Sequence, residues 1–232
     1  MCGRYVSPDT ASIERAWHIG RVNSNPFPRH FNVAPTTTVP LIRGNPATGE
    51  LELIEARWGF VPTWWKQPKL PQHSFNTRSE EAAAKLMWRQ AYKYSRCLIP
   101  AEGWYEWQAI ERTDARTGEI RTLKQPHFIF RQDRKLLCFA GLMSMWVTGG
   151  DSAKVTCAIL TKNAAPSVAD IHDRMPVVMP TKEFDRWLSP EVTSASDVAA
   201  LLAAADSNFE HYAVSTRLNT AKNDDEKLLE PA

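Results

Sequence analysis

The sequence predicts an α+β fold: a single compact domain with a curved, mainly antiparallel, barrel-like sheet and helices at its periphery. Three observations carry this. Strand-like and helix-like segments do not alternate, as a doubly wound parallel sheet would require. Strand-like runs dominate the middle of the chain. Sixteen prolines, spread along the sequence rather than gathered in a linker, cut it into short elements. With 232 residues, 43% of them hydrophobic and 23% charged, the chain is long enough for a substantial core. Its composition is near the globular average, which excludes wholesale disorder, collagen and coiled coil.

In chain order, residues 12–19 (SIERAWHI) read as a helix and residues 51–58 (LELIEARW) as a strand. Residues 79–92 (SEEAAAKLMWRQAY) read as one helix, with Ser79 as N-cap and Glu80 and Glu81 in an acidic first turn. Strands follow at 96–101 (RCLIPA), 127–131 (HFIFR), 136–142 (LLCFAGL) and 154–160 (KVTCAIL), rich in Val, Ile, Phe and Cys. Between the first two, residues 112–124 (RTDARTGEIRTLK) read as a polar, mobile hairpin excursion. Helices are expected at 181–188, where Thr181 and Glu183 resemble a capped start, and at 196–205. The main domain is assigned to residues 1–222. Residues 223–232, with Asp224, Asp225, Glu226 and Glu230, are assigned to an acidic, solubilising tail.

The longest uncharged stretch, Leu136 to Gly150, is too short to cross a bilayer and holds three glycines. The first ten residues lack the apolar core of a signal peptide, so a soluble, non-exported protein is expected. The net charge of +2 conceals an asymmetry: residues 1–100 hold 13 basic and 7 acidic side chains, the remainder 15 and 19. The basic first half suits an anionic partner, although ordinary solvated charge explains the counts equally well.

Four cysteines at positions 2, 97, 138 and 157 have neither zinc-knuckle nor CxxC spacing, which points to reduced thiols. Cys97, Cys138 and Cys157 sit in apolar runs and read as inert core residues. Cys2 differs by position. Removal of the initiator methionine would make it the first residue, with a thiol and a free α-amine on adjacent carbons. The α-amine has an ordinary pKa of about 7.7–8.0, so part of it is uncharged at neutral pH. Such an aminothiol condenses with an aldehyde to a Schiff base, which the thiol closes into a thiazolidine ring. A chance Met-Cys start is the competing reading.

Eight segments change that balance: MCGRY (1–5), FNVAPTT (31–37), RWGFVPTWW (57–65), NTRSE (76–80), RCLIPAEGWYEW (96–107), FAGLMSMW (139–146), ILTKNA (159–164) and IHDRMPVVM (171–179). Together with VSTRLNTAKNDDEKLLEP (214–231), they resemble, in order and over almost the whole chain, the SOS response-associated peptidase (SRAP) family. These are abasic-site processing proteins that crosslink themselves to damaged single-stranded DNA. The resemblance implies that Cys2 bonds to the ring-opened sugar aldehyde. It implies that Asn76 orients the terminal amine or the sugar, and that Glu106 and His172 transfer protons. The chemistry is consistent: a histidine can protonate the ring oxygen of the closed sugar near neutral pH, and a carboxyl between aromatic residues gains a raised pKa. An amide offers donor and acceptor without charge. Each residue also has a bland reading: His172 as a bonded loop histidine, Glu106 as a solvent-facing strand residue, Asn76 as a turn residue.

Arg4, Arg78 and Arg174 flank Cys2, Asn76 and His172 and are candidate phosphate contacts, with an internal salt bridge as the alternative for Arg174. Trp64 and Trp65 are candidate stacking residues or core fillers, and Asn32 a candidate phosphate or base contact. The expected partner is single-stranded DNA containing abasic sites, since a second strand and stacking hinder access to the aldehyde. No cofactor, metal or membrane is implied, and a monomer in the cytoplasm, on the nucleoid when bound to damaged DNA, is expected. Two other functions use the same residues. One is an N-terminal-nucleophile cysteine peptidase or hydrolase that removes its own Met1. The other is a non-catalytic single-strand-binding module indifferent to Cys2.

Overall fold

The computed structural model describes residues 2–21, 26–45, 47–67, 69–113, 116–147 and 153–232. From the amino terminus the chain forms β1 (Arg4–Ser7), α1 (Thr10–Trp17), β2 (Gly20–Arg21), β3 (His30–Val33), β4 (Thr38–Gly44) and β5 (Leu51–Trp58). The short β6 (Asn76–Arg78) leads into α2 (Ser79–Ala82) and α3 (Arg89–Tyr94). Then come β7 (Arg96–Ala101), β8 (Gly103–Thr113), β9 (Ile120–Arg131), β10 (Leu137–Val147) and β11 (Ala153–Asn163). The chain ends with β12 (Arg174–Pro176), β13 (Val178–Met179), α4 (Phe184–Leu188), α5 (Ala195–Ala203) and β14 (Phe209–Ala213).

Five of these strands close a barrel. β5, β4, β7, β10 and β11 pair antiparallel in that order, and a parallel pairing of β11 with β5 completes the ring. The α+β class and the mainly antiparallel barrel expected from sequence are what is found. A second, wholly antiparallel sheet runs β14-β9-β8-β1-β3. Glu102 alone separates β7 in the barrel from β8 in this sheet.

The central stretches of β7, β10 and β11 read as apolar runs because both of their faces are covered. In β7, Cys97 and Ile99 join one core cluster while Leu98 joins another. In β10, Phe139 and Cys138 divide the same way, and so do Ile159 and Ala158 in β11. This is the period-two alternation of a strand with no wet side. Cys97, Cys138 and Cys157 are fully buried, as expected. In the second sheet Trp104, Ile129 and Phe209 face the barrel. Tyr105, Phe128 and Phe130 face outward, where the carboxy-terminal segment covers them. Gly103 opens β8 because any Cβ there would lie 2.4 Å from the Ile129 carbonyl oxygen.

Two expectations are corrected. The helix expected at 79–92 breaks into α2 and α3, and Trp88 at the second start packs on Phe60 with ring centroids 4.8 Å apart. Ser79 is not the cap; Arg78 holds that position without a side-chain bond. Residues 223–232 are not a loose acidic tail. Asp224 accepts hydrogen bonds from the backbone N–H groups of Phe31 and Asn32 at 2.5 and 3.0 Å. Leu228 is fully buried, and Pro231 bridges to Val214. The excursion expected at 112–124 is a hairpin as far as it is described, β8 continuing to Thr113 and β9 starting at Ile120. Residues 114 and 115 lie outside the described set. Among the described residues no helix is long and apolar enough to cross a membrane.

Candidate active site

β1 lies between β3 and β8, with Tyr5 opposite Trp104 and Arg4 opposite Tyr105. That register sets Cys2, two residues ahead of β1, inside the core cluster that also holds Trp58, Trp104 and Phe139. Tyr5 anchors the strand by edge-on contacts with Trp58 (5.3 Å) and Phe139 (5.6 Å). Cys2 is fully buried.

Asn76 reaches Cys2 from β6. Parallel pairing with β11 places Asn76 opposite Ile159. From there its Nδ2 donates to the Cys2 carbonyl oxygen at 2.6 Å. Its Oδ1 is buried and makes no hydrogen bond among the described residues. Glu106 enters from β8, two residues beyond Trp104 and therefore on the same barrel-facing side. It is 2% exposed. His172 enters from the turn before β12. Its Nε2 lies 4.0 Å from Glu106 Oε2, and its Nδ1 accepts the Arg174 backbone N–H at 3.0 Å.

The electrostatics follow from burial. Desolvation pushes Glu106 up to about 7, with the nearby Asp173 carboxylate acting in the same direction. The Cys2 thiol is raised well above its ordinary value by burial and then by the charge of Glu106. Burial lowers His172, against an opposing pull from Asp173. The ring is thus neutral at pH 7. With Nδ1 accepting from Arg174, the proton belongs on Nε2, toward Glu106. Asp173 Oδ1, 2.8 Å from the same Nδ1, competes for that position and is favoured once the ring is protonated. The cluster can therefore hold a proton on either of two groups beside a sulfur that does not ionise unaided.

The other residues singled out from sequence divide. Trp64 is 47% exposed, and its ring lies 5.8 Å from that of the half-buried Trp65, whose Nε1 donates to the Lys69 carbonyl. Arg78 is exposed and paired only with Glu81 among the described residues. Arg174 instead turns inward. Its guanidinium pairs with Glu80 and donates to Asn163 Oδ1 and the Thr161 carbonyl, so the internal salt bridge is the one formed, with Glu80 rather than Asp173. Asn32 is buried, and its Nδ2 donates to the carbonyls of Leu218, Thr220 and Asn223 while its Oδ1 accepts from Arg4. The Asn32 amide and the two terminal nitrogens of Arg174 are engaged within the chain, where the sequence suggested phosphate or base contacts, while Arg174 Nε is buried without a hydrogen-bond partner among the described residues. Arg4 adds a bond to the Leu218 carbonyl at 3.1 Å. Sequence reasoning did not find the cleft of about 460 Å³ beside Asn76, lined by Pro35, Arg57, Trp58, His73 and Phe75. Nor did it find His127 and His211, whose pairing depends on the register of β9 with β14.

Comparison with known proteins agrees with this arrangement of the chain. The abasic site processing protein YoaM of Bacillus subtilis (strain 168) is 34% identical over 238 residues, covering 99% of this chain and 98% of its own. YedK of Escherichia coli (strain K12), which carries the same description, is 30% identical with full coverage of both chains. A crystal structure of a Bacteroides thetaiotaomicron protein superimposes over the whole chain with a TM-score of 0.79 at 20% identity, a likeness of fold. The family model for SOS response associated peptidase (SRAP) matches residues 1–221, and on that match, joined to relatives at 30% identity and above over their full length, the chain belongs to the SRAP family.

Proposed function

We propose that this protein processes abasic sites in DNA, capturing the lesion in single strands as a covalent thiazolidine on Cys2 once Met1 has been removed. The observation that supports it most is the convergence of Cys2, Asn76, Glu106 and His172 from four separate elements into one buried cluster. The relatives' description as abasic site processing proteins agrees.

The protonated fraction of His172 gives its Nε2 proton to the sugar ring oxygen while the Glu106 carboxylate takes the proton of the anomeric hydroxyl, so the hemiacetal opens to the C1′ aldehyde, His172 is left neutral and Glu106 protonated. The Cys2 amine adds to C1′. Glu106, protonated about half the time near pH 7, gives a proton to the departing hydroxyl, so water leaves and an imine forms. Glu106, now a carboxylate, takes the thiol proton as sulfur adds to the imine carbon, and the imine nitrogen, which kept one of the amine's own protons when water left, becomes the neutral ring amine. A burial-raised thiol needs such a partner because free thiolate is scarce. The Asn76 Oδ1, a buried acceptor without a partner, suits the amine or a sugar hydroxyl.

Exposed Trp64 and Arg78 supply a stacking face and a phosphate contact. Noncovalent affinity should fall with salt in proportion to the phosphates contacted, while the finished ring resists denaturation. Incubation of processed protein with a uracil-excised single-stranded oligonucleotide, resolved on a denaturing gel, tests the proposal. An adduct is expected from the wild type, none from Cys2→Ala, and slower formation from His172→Ala. Equal yield from Cys2→Ala would sink it.

A further inference from the structure

A pair of imidazoles stands near Glu106 on the barrel-facing side of the second sheet. The β8–β9 register sets Glu106 directly opposite His127, so their Cβ atoms are about 4.5–5.5 Å apart on one face. In β14, Ala213 stands opposite His127 and His211 opposite Ile129, which puts His211 diagonal to His127 on that face. The two Nδ1 atoms are 3.3 Å apart, and the rings meet edge-on. His211 Nε2 lies 3.8 Å from Oδ1 of Asp170, whose side chain is 62% exposed. Asp170 is held by its backbone carbonyl, which accepts from Gln108 Nε2 at 3.1 Å. His127 is nine-tenths buried, yet its Nε2 has no hydrogen-bond partner among the described residues.

Proton placement follows from the outside inward. The Asp170 carboxylate favours a proton on His211 Nε2, leaving His211 Nδ1 as acceptor. The proton shared between the rings then belongs to His127 Nδ1. His127 Nε2 is left as a bare lone pair, buried on the same rung as Glu106. Burial lowers the His127 pKa, with His211 adding to it, so the ring stays neutral and the lone pair remains available.

We propose that His127, His211 and Asp170 form a proton relay between Glu106 and solvent, with His127 a positioning residue that acts through Glu106 and does not touch the sugar. The inference rests on the covalent capture proposed above. When Glu106 releases its proton, His127 Nε2 takes it, the His127 Nδ1 proton passes to His211 Nδ1, and the His211 Nε2 proton leaves to Asp170 or water. Glu106 becomes a carboxylate and both rings end neutral with their protons on the opposite nitrogens. Return of a proton to Glu106 runs the steps backward and resets both tautomers. The first transfer is longer than a hydrogen bond and is closed by one bridging water or a rotation of the His127 ring. The titratable groups facing His127 are Glu106 from β8, His211 from β14 and Asp170 from the turn before β12. His172 and Asp173 face Glu106 from that same turn.

The test compares full-length, processed wild type, His127→Ala and His211→Asn on the abasic oligonucleotide across a pH series, with and without added imidazole. His127→Ala should slow adduct formation roughly three- to tenfold, below the ~10²–10⁴ of a group that transfers a proton to substrate directly. Free imidazole should restore it, and the pH optimum should move. His211→Asn, at a partly exposed position, should show a smaller loss of the same kind. Binding to undamaged single strands should be unchanged in both. Unaltered rates and pH profiles in both variants would overturn the relay, as would a loss that follows the melting temperature and ignores imidazole. A wild type without adduct would instead overturn the covalent-capture function, so the two failures are distinguishable.

Discussion

At Glu106 the burial that suits the carboxyl to proton transfer also works against the fold. A carboxyl raised from 4.5 to about 7 leaves the native state binding protons that the unfolded chain has released. Stability is therefore unaffected below about pH 4.5, falls as pH rises from there, and is lower by about 3 kcal/mol above pH 7. Glu106→Gln should recover about 2–3 kcal/mol at pH 8 and almost nothing at pH 4.5, read by urea denaturation at the two values. The same change should slow crosslinking severely and remove its optimum near pH 7. A gain over wild type that is equal at both pH values would contradict the raised carboxyl. At this scale the meeting of Cys2, Asn76, Glu106 and His172 was legible because each stands in a motif matching one family. Asn32 and Arg174 were placed in matching motifs too, yet their partners, the Leu218, Thr220 and Asn223 carbonyls and Glu80, lie in segments whose approach no local pattern encodes.

Among the elements, β7 is held by one buried cation. Arg96 donates to the carbonyls of Tyr92, Lys93, Trp187 and Ser189 at 2.6–3.0 Å and lies over the Trp187 ring. It thereby satisfies the carbonyl ends of α3 and α4 together. Arg96→Met should cost about 2–4 kcal/mol, since buried acceptors are left without donors. In β10, Gly141→Ala would drive a methyl to 2.4 Å from Ile99 Cδ1 and 2.9 Å from Cys97 Sγ. It should cost about 1–3 kcal/mol by overpacking, measured by thermal melting; an unchanged melting temperature would mean that the barrel interior yields more than its packing indicates. The strands at 51–58 and 96–101 were legible to the residue because their apolar runs are bounded by polar or turn residues. The helix at 79–92 was misread as continuous. Its composition is helical throughout, but the Trp88–Phe60 contact that accompanies the break is long-range.

Across the whole molecule, the carboxy-terminal segment acts on the amino-terminal one. Asn223, Asp224 and Leu218 hold Asn32, and Asn32 and Leu218 hold Arg4, two residues from Cys2. Deleting residues 220–232 removes the buried Leu228, worth about 1.5–3 kcal/mol, and takes from the Asn32 amide its Thr220 and Asn223 acceptors. The truncated protein should melt at lower temperature and crosslink more slowly; full-speed crosslinking would show that the segment only stabilises. Charge counting could not reveal this, because the acidic residues that look like a solvated end are backbone acceptors and ion-pair partners in the fold. Strand order also sets a clock during synthesis. β1 finds its second neighbour only when residues 103–105 exist, and the barrel closes only when residue 156 meets residue 57. Cys2 therefore stays unpacked and open to trimming for about a hundred codons and is buried afterward. Protein made without trimming and then folded should resist an aminopeptidase, which a timed digestion read by mass would show.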